Sequence, residues 1–216
     1  MHLVLRGYWR SSSSWRVRIA LNWKGLEFEN LPVHLVADGG HQHSDAHRAL
    51  NPMREVPVLL VDGEPIAQSL AILEFLEDCQ PEPALLPSEP LARARARQMA
   101  EMINSGIQPI QNLRVMQRLG REFDFDKPKQ QVWSRGWIDY GFAALHQVID
   151  AHGGRYCYGD TVTIADLCLV PQLYNARRFS VDLDQYPRLL EIEARLNALP
   201  AFQAAHPDQQ PDAVAP

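Results

Sequence analysis

Four prolines in eleven residues, Gln80-Pro81-Glu82-Pro83-Ala84-Leu85-Leu86-Pro87-Ser88-Glu89-Pro90, constrain the fold of this chain more than any other feature. A continuous helix cannot cross that density, because proline lacks an N–H and restricts the residue before it. On the N-terminal side, short apolar runs alternate with helical stretches. On the C-terminal side, every long pattern has helical spacing. The change predicts two domains of different class, over residues 1–80 and 91–216, joined by a linker at 81–90.

Within the first part, Leu3-Val4-Leu5 reads as a buried strand and Ser14 to Lys24 as a helix stopped by Gly25. Leu26 to Val33 alternates as a second strand would, and a crossover helix between the two implies a parallel βαβ unit. Ser44 or Asp45 caps a short helix that ends before Asn51-Pro52. Val56 to Val61 is a third strand, and Asp62-Gly63 is a hairpin signal returning through Glu64 to Ala67. Ser69 then caps a helix with Leu70, Ile72, Leu73, Phe75 and Leu76 on its apolar face. The order β-α-β-α-β-β-α is that of a thioredoxin-like α/β domain.

The second part reads as all-α. A long pattern from Leu91 to Leu119 bends near Gly106 and Pro109, and a second helix covers Gln130 to Ala151. Thr163 and Asp166 have the spacing of a capping box opening a third helix to about Ala176, and Pro187 to Leu199 forms a fourth.

Composition narrows the function. The net charge of −5 and the dispersal of the arginines argue against a nucleic-acid partner. The N-terminus lacks a basic region followed by an apolar run, and no stretch is long enough to span a membrane, so a cytoplasmic protein without a membrane partner is expected. Cys79, Cys157 and Cys168 are far apart, fit a reducing compartment and read as inert buried thiols. Trp15, Trp23, Trp133 and Trp137 read as core. His41, His43 and His47 sit in a polar stretch with no cysteine nearby; they read as solvated, and no metal is expected.

Arg10-Ser11-Ser12-Ser13-Ser14-Trp15-Arg16-Val17-Arg18 carries the chemistry. A strand that becomes a helix at a row of hydroxyls offers unpaired N–H groups in the positive end of the helix dipole. Four hydroxyls flanked by Arg10 and Arg16 exceed what capping requires, so the stretch reads as a site for a small anion or a thiolate. A cis bond at Val56-Pro57 would turn the Val56 backbone towards a ligand that pairs with it like a strand; a trans proline opening a strand is the ordinary alternative. Gln68-Ser69 is a second helix start, able to receive a carboxylate or simply to cap.

Ser11 to Ala20 resembles the signature of zeta-class glutathione transferases, the maleylacetoacetate isomerases. The likeness continues through Asn51-Pro52, Val56-Pro57, Gln68 to Ile72, Gly106 to Pro109, Ala165 to Gln172, Arg178-Phe179 and His206-Pro207. The resemblance implies the glutathione transferase fold, glutathione as cofactor and a homodimer. By position, Gln68 and Ser69 would meet the γ-glutamyl end, and Val56 with Pro57 the cysteinyl backbone. Gln42, with His41, would lie near the glycyl end. Gln108 falls where the family places a contact from the helical domain. Ser11 and Ser14 would face the sulfur, beside Ser12 and Ser13. One residue departs: Ser13 stands where the family usually has cysteine, which puts mixed-disulfide side chemistry in doubt.

The implied reaction is the cis–trans isomerisation of maleylacetoacetate, a dicarboxylate, by transient thiolate addition, with a glutathione transferase side activity. Arginines clamp dicarboxylates through paired donors. Arg10 and Arg178 are the candidates; Arg177 reads as solvated and Arg114 as a surface ion-pairing residue. The alternatives are a maleylpyruvate isomerase, which Leu113 disfavours where another arginine would suit, and a non-catalytic glutathione-fold binding module.

Overall fold

The protein's structure, a computed structural model, describes residues 1–213. Val214 to Pro216, the end of the expected 91–216 domain, lie outside the described residues. Two compact units form among the described residues: Met1–Leu85 together with 198–213, and Leu86–Asn197.

In the first unit, β1 (Leu3–Gly7) runs into α1 (Ser12–Trp23), β2 (Glu29–Pro32), α2 (Asp45–Leu50), β3 (Val58–Val61), β4 (Glu64–Ala67) and α3 (Ser69–Cys79). The sheet order is β2-β1-β3-β4. β1 is parallel to β2 and antiparallel to β3, which pairs antiparallel with β4. The expected βαβ unit and hairpin are therefore present. Asp62 and Gly63 both take positive φ, 51° and 95°, as the tight turn between twisted strands demands. Leu5, Val17, Ile19, Leu21, Val58, Leu59, Ile72, Leu73 and Leu76 are buried in the core of this unit.

Two buried groups fasten the following segment to this core. Lys24 Nζ donates to Glu77 Oε2 at 2.7 Å, to the Gln80 carbonyl at 2.6 Å and to the Pro83 carbonyl at 3.2 Å. The Glu77 carboxylate also accepts the Leu85 N–H, at 3.1 and 3.0 Å. The proline-rich stretch is thus held by the Lys24 and Glu77 side chains, and its Glu82-Pro83 bond is cis.

Residues 198–213, expected within the helical domain, cluster instead with the first unit. A last short helix, Pro200–Ala204, packs on α1, and Arg18 Nε donates to the Ala205 carbonyl at 3.2 Å. Helical periodicity shows that such a segment is amphipathic but not which helix it will cover.

The second unit holds α4 (Pro90–Asn104), α5 (Leu113–Phe123), α6 (Lys127–His152), α7 (Ile164–Arg178) and α8 (Pro187–Asn197), making the final short helix α9. α4 packs on α6 and α7, and α7 on α8. The long pattern from Leu91 to Leu119 is broken rather than bent. α4 stops at Asn104, and Pro109, which cannot donate, opens a 3-10 turn over Gln108–Gln111 before α5 begins. α7 starts as expected: the buried Asp166 carboxylate accepts from the Thr163 N–H at 2.8 Å, the Thr163 hydroxyl at 3.0 Å and the Cys157 N–H at 2.9 Å. Burial pushes the Asp166 carboxyl up, and those three donors oppose it.

Three expectations about single side chains are corrected. Cys79 is exposed at the end of α3, while Cys157 and Cys168 are buried as expected. Burial, with Asp166 beside it, pushes the Cys157 thiol well up, which suits an unreactive thiol. Arg177 is not simply solvated; it forms a two-pronged ion pair with Glu193 at 2.6 and 2.5 Å, which raises its pKa.

The third is His47, which is fully buried in α2 rather than solvated. Its Nε2 lies 3.0 Å from the Glu55 carbonyl, an acceptor only, so Nε2 carries the proton; Nδ1 is buried and meets no partner among the described residues. Burial first, and Arg6 as a smaller cause, lower its pKa, against the Glu55 bond that raises it. The unfolded chain takes up the proton near pH 6.5 and the folded one only further down, so folding stability falls as pH drops through that window. Melting curves from pH 7 to 5 should show a steeper loss for the wild type than for His47→Gln. Parallel losses would contradict the assignment.

Candidate active site

The sequence of the first unit builds two helix starts with polar faces. After β1, the chain turns through Tyr8, Trp9 and Arg10 to Ser11, the N-cap of α1. The Ser11 hydroxyl accepts the Ser14 N–H at 3.3 Å and keeps its own proton to donate. Ser12 is buried and Ser13 half-buried. The Ser13 N–H, one of the first-turn donors a helix leaves unused, meets no acceptor among the described residues.

Ser14 does not share this outlook. It is fully buried, and its hydroxyl accepts the Tyr8 N–H at 3.4 Å. Gly7 makes the room: a Cβ there would stand 3.1 Å from both Cβ and Oγ of Ser14. Ser14, expected to face a sulfur beside Ser11, thus packs against the loop from within. Of the arginines, Arg10 is half-buried with its guanidinium 5.1 Å from the Trp9 ring centre, whereas Arg16 is fully buried.

Arg16 joins the two starts, its NH1 donating to the Ser69 hydroxyl at 3.2 Å. Ser69, expected to be the cap of α3, is instead its first residue, and Gln68 takes the cap position with φ 73° and no side-chain cap bond. A positive φ at a residue other than glycine is uncommon and points to a positional demand. An uncapped helix start beside a buried cation is suited to a carboxylate.

Val56-Pro57 is cis. Val56 lies beyond the β1–β3 ladder, whose last pair is Arg6 with Val58, so its peptide groups are outside the sheet. The residue before it is gripped: the Glu55 carbonyl accepts from His47 Nε2 and from Asn51 Nδ2, each at 3.0 Å. Asn51 Oδ1 in turn accepts the Met53 N–H at 3.1 Å. Sequence reasoning missed His47 and Asn51 as supports; only the Asn51-Pro52 likeness hinted at the second. Gln42 is buried, its Nε2 donating to the Leu35 carbonyl at 3.2 Å while Oε1 meets no donor among the described residues. His41 is exposed, 3.3 Å from Asp38.

Two predicted residues belong to the second unit. Gln108 is half-buried at the head of its 3-10 turn. Arg178 is exposed at the end of α7, donating to Asn175 Oδ1 at 3.1 Å, with its guanidinium 5.7 Å from the Phe179 ring centre.

Family models for the glutathione S-transferase N-terminal and C-terminal domains match residues 10–79 and 121–204. The chain is 50% identical over 212 residues to the maleylacetoacetate isomerase of Rattus norvegicus, covering 98% of this chain and 95% of that one. Among solved structures, it superposes with a TM-score of 0.94 at 42% identity on a holo maleylpyruvate isomerase, described as a bacterial zeta-class glutathione S-transferase, covering 98% of this chain and 100% of that one. The maleylacetoacetate isomerase of Anaeromyxobacter dehalogenans, with dicarboxyethyl glutathione and citrate bound, matches with a TM-score of 0.87 at 46% identity, over 99% of this chain and 98% of that one. With both family domains in place and half its residues shared with such a relative, the chain belongs to the glutathione S-transferase family, in the zeta class of maleylacetoacetate isomerases.

Proposed function

We propose that this protein converts maleylacetoacetate to fumarylacetoacetate with glutathione as its cofactor. The observation that carries the reading is the α1 start, where the Ser11 proton and the Ser13 N–H are both uncommitted in a chain of this family.

The residues present fit glutathione. The uncapped start of α3, backed by Arg16 and Ser69, suits the γ-glutamyl carboxylate. The Val56 peptide, outside the ladder, suits strand-like pairing with the cysteinyl backbone, and the unpartnered Gln42 oxygen suits a ligand N–H. The reading keeps Ser12, Ser13, Pro57, Gln68 and His41 in the binding set; for Gln108 and Arg178 it rests on the family resemblance alone.

When bound, glutathione supplies a thiolate that adds to the double bond conjugated with a carbonyl, so that the bond turns as a single one, and then leaves unchanged. The chain's own work is electrostatic. A free thiol near pKa 8.5 is mostly protonated at neutral pH, and the α1 dipole, the Ser13 N–H and the Ser11 hydroxyl favour its ionised form. Arg10 offsets charge developing on the substrate and pairs with a carboxylate. Ser13, in the family's cysteine position, can donate a hydrogen bond but cannot join a mixed disulfide.

The reading extends to a homodimer acting in the cytoplasm in tyrosine and phenylalanine breakdown, on the strength of the family resemblance, with glutathione transfer as a side activity. Among the described residues no helix is long and apolar enough to cross a membrane. Maleylpyruvate is the second substrate to test, because a maleylpyruvate isomerase superposes so closely on this chain. The test follows loss of absorbance of each substrate with and without glutathione. Glutathione-dependent turnover with the higher kcat/KM for maleylacetoacetate is expected. A preference for maleylpyruvate would move the substrate, and turnover of neither would remove the isomerase reading.

A further inference from the structure

The turn that carries Ser11 is held by a late segment of the chain, 205–212. Arg18, 1% exposed on α1, donates to the carbonyls of Trp9 at 2.8 Å, Tyr8 at 3.4 Å and Ala205 at 3.2 Å. Burial lowers its pKa to about 10 while Asp212 opposes the shift, so it remains a cation at neutral pH. Asp212 Oδ2 accepts the Trp9 N–H at 3.0 Å. The Tyr8 carbonyl also accepts the Ser11 N–H at 3.0 Å, and the Tyr8 N–H goes to Ser14. Both peptides of this two-residue turn are therefore bonded to α1 or to the C-terminal segment.

The segment is itself anchored within the same unit. Asn30 Nδ2 donates to Gln210 Oε1 at 3.2 Å, and Gln210 Nε2 donates to the carbonyls of Ala204 and His206 at 3.1 and 2.9 Å. The Trp15 and His206 rings meet edge-on, 5.3 Å between centres. A core needing only filling would use hydrocarbon, because burying a cation is costly. Here a buried cation and a carboxylate are both directed at the main chain two and three residues ahead of the α1 cap.

We propose that Arg18 and Asp212 are positioning residues for the thiol-holding helix start: through them the C-terminal segment sets the Tyr8–Trp9 turn, and so the aim of the Ser11 hydroxyl and the Ser13 N–H. Neither residue touches the sulfur, and the inference rests on the glutathione reading above. His34 against Tyr8 (5.2 Å between ring centres), Arg10 over Trp9 and His206 against Trp15 are the other titratable or charged groups at the turn; all are unaltered in the variants below.

The experiment compares the full chain with Asp212→Ala and Asp212→Asn. The thiol of bound glutathione is titrated by its thiolate absorbance, its Kd is measured at pH 5, and Tm is recorded. Asp212→Ala should raise the bound thiol's pKa by about one unit, a tenfold loss of thiolate stabilisation. The Kd at pH 5 should stay within about twofold, since the α3 start and Val56 are untouched. Asp212→Asn should titrate like the wild type, because its amide oxygen still accepts the Trp9 N–H. An unchanged thiol pKa in Asp212→Ala, whatever Tm does, would reduce the segment to a strap and overturn the proposal. So would an equal shift in Asp212→Asn, which would make charge rather than position the cause. Wild-type protein that binds no glutathione would sink the functional reading itself, and this inference with it.

Discussion

Ser11→Ala should lower kcat/KM for glutathione-dependent isomerisation about 10²-fold, roughly 2.7 kcal/mol of transition-state stabilisation, as loss of a well-placed donor to a developing anion does elsewhere. The Ser11 hydroxyl accepts the Ser14 N–H and still has a proton to give. Alanine removes the cap as well, at about 1 kcal/mol of stability. The two losses separate by measurement: Ser11→Gly keeps most of the capping yet lacks the donor, so it should match alanine in rate while melting nearer the wild type. Ser14→Ala should show the reverse balance. It leaves the Tyr8 N–H buried without its acceptor, costing about 1–3 kcal/mol, so Tm falls first and rate follows only through the loop's geometry. Equal turnover in wild type and Ser11→Ala would remove Ser11 from the chemistry.

Lys24→Met should cost about 3–5 kcal/mol of folding stability in denaturant titration, the largest single loss expected in the first unit. The Lys24 side chain is 0% exposed, and its ammonium is bonded to Glu77 and two carbonyls. Methionine fills similar space but takes the ammonium away from the buried Glu77 carboxylate. Adding Glu77→Gln should recover part of the loss, because the amide oxygen still accepts from Leu85 and no charge is left unpaired. A loss under about 1 kcal/mol for the single variant would place the pair with weak surface ion pairs.

The elements legible in advance were those whose cause is local. Asp62-Gly63 made a hairpin because tight turns need positive φ, and Thr163 with Asp166 opened α7 because a helix start needs acceptors. The long pattern at Leu91 misled because periodicity persists across Pro109, where the hydrogen-bond ladder does not. His47 misled for a related reason: polar neighbours in sequence say little about a side chain that folds under Glu55.

From the sequence alone came the two domain classes, the order of elements along the first, the serine-rich helix start and the family signature that names glutathione. The domain classes, the element order and the helix start follow from short-range rules: proline density, side-chain alternation and cap chemistry; glutathione follows from the family resemblance. Tertiary structure alone decided which hydroxyl faces outward, since Ser11 and Ser14 differ only in what packs against them. It also decided that Arg16 reaches Ser69, that Lys24 reaches Glu77, and that the chain beyond Ala198 returns to hold Trp9. Those pairings join residues separated by 53 to 203 positions, and no local rule spans that distance, because such contacts form only when the whole unit has closed around them.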